Sequence, residues 1–183
     1  MKKLFIATGN KEKVKEVEDM LEIPLEFVDI KIDEVQSMDL EYVANKKAKE
    51  AFRILKKPVM VDDVGVFIEA WNGFPGPFAK FLLSAHGNKK LLKLLEDEKN
   101  RKVIIRSVVA YHDGKKVHTF LGEVEGSLAY EEKGIDGWGF DPIIIPKGGS
   151  LTYAQMGHVK KNQLSHRRKA IDKLKIFLDS QKT

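Results

Sequence analysis

The sequence predicts a mixed α/β fold, and three observations lead to this prediction. Short apolar runs of strand type alternate with longer segments in which apolar residues recur at helical spacing. Two strand-like runs, residues 103–111 and 117–126, flank Asp113-Gly114, a pair typical of a β-hairpin turn. A hairpin makes its strands antiparallel, so we expect a mixed rather than a purely parallel sheet. The 183 residues contain no linker or internal repeat, and we expect a single domain over residues 1–183.

The first part of the chain alternates strands and helices. Residues 4–7 are predicted to form a buried strand, and residues 11–21 a helix with one apolar face. A second strand is expected within residues 25–32. Apolar residues then recur at helical spacing in residues 40–55, and this helix ends before Pro58 because proline cannot continue the helical hydrogen bonds.

The middle of the chain predicts strands, a rigid loop and a short helix. Residues 59–61 form a strand that ends in two aspartates, and residues 64–70 continue as strand-like sequence. Prolines and glycines restrict the backbone of a loop at residues 73–77. Asn88 is expected to cap a short helix that carries four leucines.

The C-terminal part combines a loop, a strand and a helix. Residues 134–139 form a glycine-rich loop before a strand at residues 143–145. Ser165 is expected to cap the last helix. The apolar residues that this helix is predicted to bury are Ala170, Ile171, Leu174, Phe177 and Leu178.

The composition excludes several classes of protein. No segment approaches the roughly 18 apolar residues of a membrane span. The absence of cysteine excludes disulfides, thiolate catalysis and cysteine-ligated zinc, and it fits a reducing compartment, so we expect a cytoplasmic location. The 32 basic and 27 acidic residues give a net charge of +5, which suits an anionic partner such as a nucleotide or a polynucleotide.

The turn Thr8-Gly9-Asn10 lies between the first strand and the first helix. The N–H groups at a helix start point at an anion, Gly9 would let the backbone approach a phosphate, and Lys13 would add a positive charge. The P-loop pattern is absent, so this is not a Walker site. An ordinary N-capped helix explains the same residues equally well, and the turn alone leaves both interpretations open.

Asp62 and Asp63 are the second candidate. Adjacent residues of a strand point to opposite faces, so at most one of the two carboxylates enters a given cleft. Such a carboxylate suits Mg²⁺ bound together with substrate phosphates, and it can orient or deprotonate a water molecule. A turn with a capping aspartate is the alternative interpretation.

Two later segments carry further candidates. In residues 137–142 (Gly-Trp-Gly-Phe-Asp-Pro), an aromatic ring could lie against a base and Asp141 could bind a ring N–H, but a structural turn with Trp138 in the core fits equally well. Residues 165–168 (Ser-His-Arg-Arg) start a helix, where N–H donors and the positive end of the dipole collect. A basic, solvated helix start is the alternative there.

Five motifs in this order, spread over roughly residues 3–178, closely resemble the inosine/xanthosine triphosphate pyrophosphatase family. They are Thr8-Gly9-Asn10-x-x-Lys13, Asp62-Asp63-x-Gly65, Pro75-Gly76-Pro77, Gly139-Phe140-Asp141-Pro142 and Ser165-His166-Arg167. The resemblance implies an elongated mixed β-sheet flanked by helices, with two lobes and a central active-site cleft. It implies Mg²⁺-dependent hydrolysis of ITP, dITP and XTP to the monophosphate and pyrophosphate, which keeps these nucleotides out of DNA and RNA. It also implies a homodimer.

The resemblance implies a role for each matching position. Asp63 would be the catalytic proton acceptor and a metal ligand, with Glu34 as a second metal ligand. The residues implied to bind the phosphates are Thr8, Gly9, Asn10, Lys11, Glu12, Lys13, Lys47 and Lys80. Those implied to recognise the base are Trp138, Gly139, Phe140, Asp141, Lys161, His166 and Arg167. Two positions depart from the family pattern: Val64 replaces a frequent Ser or Thr and retains only a backbone contact to substrate, and Gln155 replaces a glutamate.

Two other functions fit parts of the sequence. A small nucleic-acid-binding protein would use the net positive charge and the basic pairs Lys160-Lys161 and Arg167-Arg168. That hypothesis leaves the two adjacent aspartates and the ordered glycine loops unexplained. A nucleotide phosphotransferase would also need phosphate-binding lysines and Mg²⁺, but no Walker motif or kinase signature is present.

Overall fold

A computed structural model of the protein describes residues 4–181. The elements are β1 (Leu4–Ala7), α1 (Lys11–Leu21), β2 (Leu25–Val28), α2 (Leu40–Leu55), β3 (Val59–Ile68), β4 (Pro75–Gly76), α3 (Ala79–Leu94), β5 (Lys102–His112), β6 (Val117–Leu128), β7 (Ile144–Pro146), α4 (Tyr153–Met156), α5 (His158–Leu164) and α6 (His166–Ser180). No helix in this range is long and apolar enough to cross a membrane.

The seven strands form one mixed sheet that is flanked by helices, which confirms the predicted fold class. The strand order is β2-β1-β3-β5-β6-β7, and β4 pairs with β3. The strand β1 runs parallel to β2 and to β3, whereas β4 is antiparallel to β3 and β7 is antiparallel to β6. The short turn at residues 113–116 joins the neighbouring strands β5 and β6, as the Asp-Gly pair predicts.

The described chain packs as two compact units. Unit 1 consists of residues 4–63, 107–122 and 167–181, and unit 2 consists of residues 64–106 and 123–166. Each unit buries its own apolar cluster, and burial of this surface is the main favourable term in its folding. The prediction of one domain over residues 1–183 reaches beyond the described residues and stays a prediction.

The core of unit 1 lies where α1 and α6 pack against the first strands. The buried residues of this cluster are Leu4, Ile6, Val17, Met20, Leu21, Met60, Val109, Ala170, Ile171 and Leu174. Phe177 and Leu178 are partly buried against it. The apolar face that the sequence predicts for the last helix therefore does pack into a core.

The core of unit 2 is formed by residues of several strands, of α3 and of α4. Its buried residues are Val66, Ile68, Ala79, Leu91, Leu92, Leu95, Val103, Ile105, Leu128, Ile143, Ile144 and Tyr153. Val64 and Phe140, both predicted to bind substrate, are partly buried against this cluster. Any contact of Val64 with a ligand would therefore use its backbone, as its apolar side chain packs inward.

The structure departs from the predicted elements at two places. The strand expected within residues 25–32 ends at Val28. Helix α3 begins at Ala79, whereas the sequence predicts a helix only from Asn88. The reason is Gly87, whose φ of 67° and ψ of 171° break the helix. The helical spacing of apolar residues is interrupted there, so the two halves of α3 do not show one continuous pattern. Asn88 does not cap the second half, because its Oδ1 atom accepts no hydrogen bond within residues 4–181.

Ile171 and Ile176 lie on the same helix, α6, and provide a matched test of the unit 1 core. Ile171 is 0% exposed and Ile176 is 71% exposed. We expect Ile171→Ala to lower the free energy of unfolding by about 2–5 kcal/mol, because the truncation removes buried apolar surface and leaves a cavity. Ile176→Ala should change it by less than about 0.5 kcal/mol. Urea unfolding followed by circular dichroism measures both values, and equal losses would contradict the buried face described above.

Candidate active site

Helix α1 starts with a side-chain cap. The oxygen Oδ1 of Asn10 accepts hydrogen bonds from the N–H groups of Glu12 (2.9 Å) and Lys13 (3.2 Å). The Thr8 hydroxyl oxygen accepts a hydrogen bond from the Asn10 N–H at 3.1 Å. The N-capped helix start is therefore present, and it fixes the positive end of the α1 dipole at this turn. Anion binding at the same turn stays a prediction, with Lys11 and Glu12 exposed beside it.

Gly9 is exposed, and the fold does not require glycine there. Its φ is not in the left-handed region, and a Cβ atom would meet Asp29 Oδ1 at 3.6 Å, which is an ordinary contact. A need for glycine at this position would come from the close approach of a ligand to the backbone. The local geometry is thus compatible with a phosphate-contacting loop.

Asp62 lies in the interior of β3, although the sequence predicts it at the end of a strand. The strand continues because β3 is hydrogen-bonded between β1 and β5 in the sheet. Asp62 is 2% exposed, and its carboxylate accepts hydrogen bonds from the Ser107 hydroxyl at 2.5 Å and from Arg167 Nε at 2.9 Å. Burial alone would raise the pKa of Asp62, but Arg167 and Lys13 hold it well below its usual range. Asp62 is thus a buried anion with a structural role.

Lys13 contacts Asp62 in two ways. Its ammonium donates a hydrogen bond to the main-chain oxygen of Asp62 at 2.6 Å and lies 3.3 Å from Asp62 Oδ2. Burial lowers the pKa of Lys13 below 10.5, and the nearby Arg167 lowers it further, while Asp62 opposes the shift. This lysine, which the resemblance implies to bind phosphate, is therefore held next to Asp62.

Arg167 lies at the start of α6 and is 1% exposed. Its Nη1 atom forms an ion pair with Glu16 Oε2, and its Nε atom contacts Asp62. Burial alone would lower the pKa of Arg167, but the carboxylates of Asp62 and Glu16 raise it. The guanidinium therefore compensates two buried carboxylates of unit 1. Its predicted contact with a base stays a prediction and would come in addition to these ion pairs.

Asp63 points to the opposite face of β3 from Asp62, as the alternation along a strand requires. Its Oδ1 atom accepts a hydrogen bond from Lys47 Nζ at 2.8 Å, and the same ammonium forms an ion pair with Glu34. Burial alone would lower the pKa of Lys47, but Asp63 and Glu34 raise it above 10.5. The other oxygen, Asp63 Oδ2, is buried and has no hydrogen-bond partner within residues 4–181. The structure thus brings together both residues predicted to bind metal and a predicted phosphate ligand.

A divalent cation that binds mainly to phosphate oxygens and water needs only one or two protein carboxylates, and Mg²⁺ is such an ion. Asp63 offers an unpartnered oxygen, and the side chain of Glu34 is 45% exposed next to the same lysine. No group of three or more possible metal ligands occurs in the part of the chain that the structure describes. The residues therefore fit an ion that is shared with a substrate and do not form a closed structural metal site.

A second cluster, in unit 2, contains residues 137–141, which we call the Trp138 loop. The Asp141 carboxylate accepts hydrogen bonds from the main-chain N–H of Trp138 at 2.9 Å and from Lys161 Nζ at 2.7 Å. The Lys161 ammonium lies 5.2 Å from the centroid of the Trp138 ring, within the range of a cation–π contact. At Gly137, a Cβ atom would lie 2.4 Å from Asp141 Oδ2, so only glycine allows the carboxylate to fold back on the loop.

The remaining predicted residues are placed as follows. Lys80 is exposed on α3, and His166 is 6% exposed as the first residue of α6. Gln155 completes a capping box with Thr152 at the start of α4. In this contact the side-chain oxygen of Gln155 accepts a hydrogen bond from the Thr152 N–H. A glutamate carboxylate would supply an equivalent acceptor, so the structural role of this position does not need the amide.

Two residues of the buried polar group around Asp62 and Arg167, namely Glu16 and Ser107, were not predicted from the sequence. Glu16 is 2% exposed and lies four residues before Met20, on the apolar face of α1. Ser107 is 0% exposed and lies in a buried period-two series with Ile105 and Val109. In each case a polar residue on a predicted apolar face was the available signal, because a buried polar group requires a partner.

Comparisons with known proteins agree with the motifs of the sequence. The model of the Ham1 family matches residues 4–177. A dITP/XTP pyrophosphatase from Methanopyrus kandleri is 45% identical over 175 residues, which are 93% of each chain. A protein of the same name from Saccharolobus solfataricus is 39% identical over 181 residues, 97% of this chain and 94% of the relative. The solved structure of a HAM1 protein from Coxiella burnetii superposes with a TM-score of 0.87, with 27% identity and coverage of 98% of this chain and 100% of the other.

Two neighbouring arginines, Arg167 and Arg168, test the importance of the buried ion pairs. Arg168 is the matched control, because its side chain is 36% exposed and pairs with Asp172 on the surface of α6. We expect Arg167→Ala to lower the free energy of unfolding by about 3–5 kcal/mol, since it removes the cation that pairs with two buried carboxylates. Arg168→Ala should cost less than about 1 kcal/mol. Urea unfolding at neutral pH gives both values, and a small loss for Arg167→Ala would refute the structural role of its guanidinium.

Proposed function

This chain belongs to the Ham1 family, and we propose that it hydrolyses non-standard purine nucleoside triphosphates, namely dITP, ITP and XTP, to the monophosphate and pyrophosphate. The relatives named dITP/XTP pyrophosphatase support this substrate class. The observation that carries the proposal is the Asp63 carboxylate, which has one oxygen on Lys47 and the other buried without a partner within residues 4–181. The protein would thus be a hydrolase that acts on acid anhydrides and removes these nucleotides before they enter DNA or RNA.

The proposed phosphate-binding residues begin with the turn that precedes α1. The positive dipole end of α1 lies at the turn at residues 8–10, and this arrangement favours an anion. Lys13 and Lys47 would add positive charge beside the aspartates of β3. Lys80, exposed on α3, is proposed as a further phosphate ligand, and Val64 would contribute only backbone groups.

We propose Mg²⁺ as the cofactor, held by Asp63 and Glu34 together with substrate oxygens. When bound, this ion would neutralise phosphate charge. Asp63 would take a proton from the water molecule whose oxygen attacks the α-phosphorus. The bond from the α-phosphorus to the oxygen that bridges it to the β-phosphorus would break, and pyrophosphate would leave with that oxygen. Lys13 and Lys47 would stabilise the negative charge that builds up on the phosphates.

The base would be selected by hydrogen bonding, with residues of the Trp138 loop, Lys161, His166 and Arg167 as the proposed set. Hypoxanthine and xanthine present O6 as an acceptor and N1–H as a donor, and adenine reverses both. Donors aimed at O6 would be left unpaired by adenine, at a cost of about 1–3 kcal/mol for each buried group. Two or three such mismatches would give on the order of 10²- to 10⁴-fold discrimination against ATP.

Two further properties belong to the proposal. The chain would act as a homodimer, as the resemblance implies, and in the cytoplasm, because the absence of cysteine fits a reducing compartment. Stable binding of nucleic acid is not part of the proposal. Salt dependence of DNA or RNA binding distinguishes a nucleic-acid-binding protein from the proposed hydrolase.

Asp63→Asn tests the catalytic role. We expect the variant to fold but to lose about 10²- to 10⁴-fold in kcat, because the amide cannot accept the proton from water. Asp97→Asn is the matched control, because Asp97 is exposed in unit 2 and far along the chain from the predicted site residues. Initial rates of pyrophosphate release from ITP, with circular dichroism as a check on folding, measure the effect. Near-normal turnover of the Asp63 variant would eliminate its proposed role.

Removal of divalent cations and analysis of the products test the reaction class. We expect chelation to stop the release of pyrophosphate from ITP, dITP and XTP, and added Mg²⁺ to restore it, with ATP turned over slowly. One pyrophosphate should form for each monophosphate. Orthophosphate as the product would indicate a different nucleotidase or a phosphotransferase. Binding of DNA or RNA that weakens steeply with salt would favour the nucleic-acid hypothesis.

A further inference from the structure

Asn88 is a buried polar residue of unit 2 that no step of the proposed reaction uses. It is 7% exposed, and its Nδ2 atom donates a hydrogen bond to the main-chain oxygen of Gly139 at 2.9 Å. A carbonyl oxygen only accepts hydrogen bonds, so this contact fixes which end of the amide faces the loop. The bond joins α3 to the Trp138 loop over 51 positions of sequence.

The backbone of α3 is adapted to make this contact. Gly87 breaks the helix in a conformation that L-residues rarely adopt, with φ of 67° and ψ of 171°. After the break, the second half of α3 begins at Asn88 and is anchored in the unit 2 core by Leu91 and Leu92. The Asn88 amide is therefore carried by a rigid element, and it is not engaged in capping its own helix.

Other hydrogen bonds of the Trp138 loop are formed within it and with the residues just after it. The Asp141 carboxylate accepts a hydrogen bond from the main-chain N–H of Trp138. The main-chain oxygen of Phe140 accepts hydrogen bonds from the N–H groups of Ile143 (3.0 Å) and Ile144 (3.2 Å). Gly139 lies between these two attachments with a φ of 68°. A Cβ atom at Gly139 would lie 3.8 Å from the Leu83 side chain of α3, so the loop packs close to this helix. The peptide group between Gly139 and Phe140 is thus set by Asn88.

We propose that Asn88 is a positioning residue, which orients the Trp138 loop for recognition of the purine base. This inference rests on the proposed function, because the loop is the proposed base-recognition segment. Asn88 touches no reacting atom in this proposal and acts through the main chain of Gly139. Its loss therefore alters the binding of the base and the choice between bases, and it leaves the chemical step at Asp63 unchanged.

Two variants separate the hydrogen bond from simple packing. Asn88→Ala removes the amide, and Asn88→Leu keeps a side chain of similar volume but has no donor. We expect both to raise KM for ITP and to reduce the preference for ITP over ATP by roughly 2- to 10-fold, the value of one hydrogen bond. The kcat for ITP should stay within about 2-fold of the parent, because Asp63, Lys13 and Lys47 are unchanged.

Fluorescence provides a readout that does not depend on activity. The chain has two tryptophans, so in a Trp71→Phe background the emission reports on Trp138 alone. Acrylamide quenching of this emission should increase in both Asn88 variants, because the loop loses one attachment. Asn162→Ala is the matched control: Asn162 is 8% exposed in the same unit, but its amide contacts His158 and not the loop.

The outcomes are distinguishable. Increased quenching together with a higher KM in both Asn88 variants, and not in Asn162→Ala, supports the proposal. Parent-like behaviour of Asn88→Leu would show that volume alone matters and would overturn it, as would an equal effect of Asn162→Ala. A kcat that falls as much as kcat/KM would also overturn it. If the parent protein releases no pyrophosphate from ITP, the proposed function fails, and the quenching data still decide whether Asn88 holds the loop.

Discussion

A carboxylate buried inside a strand must be compensated, and in unit 1 this requirement joins four elements. Asp62 on β3 is held by the Ser107 hydroxyl of β5, the Arg167 guanidinium of α6 and the ammonium of Lys13 on α1. Arg167 in turn pairs with Glu16, also on α1. Charge burial on this scale costs several kcal/mol per ion unless each group finds a partner, so the positions of these elements are coupled to one another.

This coupling determines what the neighbouring residue can do. Asp63 lies on the opposite face of the same strand. The ion pairs of Asp62 therefore fix the backbone of the strand, and the Asp63 carboxylate takes no part in them. Lys47 binds one oxygen of Asp63, and the other has no hydrogen-bond partner among the residues that the structure describes. Under the proposed function, alternation along the strand divides the two adjacent carboxylates into a structural anchor, Asp62, and a metal ligand and proton acceptor, Asp63. In unit 2, Asn88 in the second half of α3 holds the Trp138 loop through a hydrogen bond to the main-chain oxygen of Gly139.

Most of the fold and part of the site were predictable from the sequence. Helices α1 and α2 have the predicted limits, and the hairpin of β5 and β6 forms at the Asp-Gly turn, because local periodicity and turn chemistry specify these features. The first half of α3 was missed, because Gly87 interrupts its pattern. The continuation of β3 through the aspartates was missed as well, since only pairing with neighbouring strands makes two adjacent carboxylates acceptable inside a strand.

The sequence by itself determined the alternation of strands and helices, the apolar faces and the order of motifs that indicates the family. These features depend on residues close together in the chain. The tertiary structure decided which charges meet: that Arg167 compensates Asp62 and Glu16, that Lys47 joins Asp63 to Glu34, and that Asn88 reaches Gly139. These pairs are separated by 13 to 151 positions, and no local pattern specifies them. They form because burial removes water from polar groups and only a partner from another element can replace it.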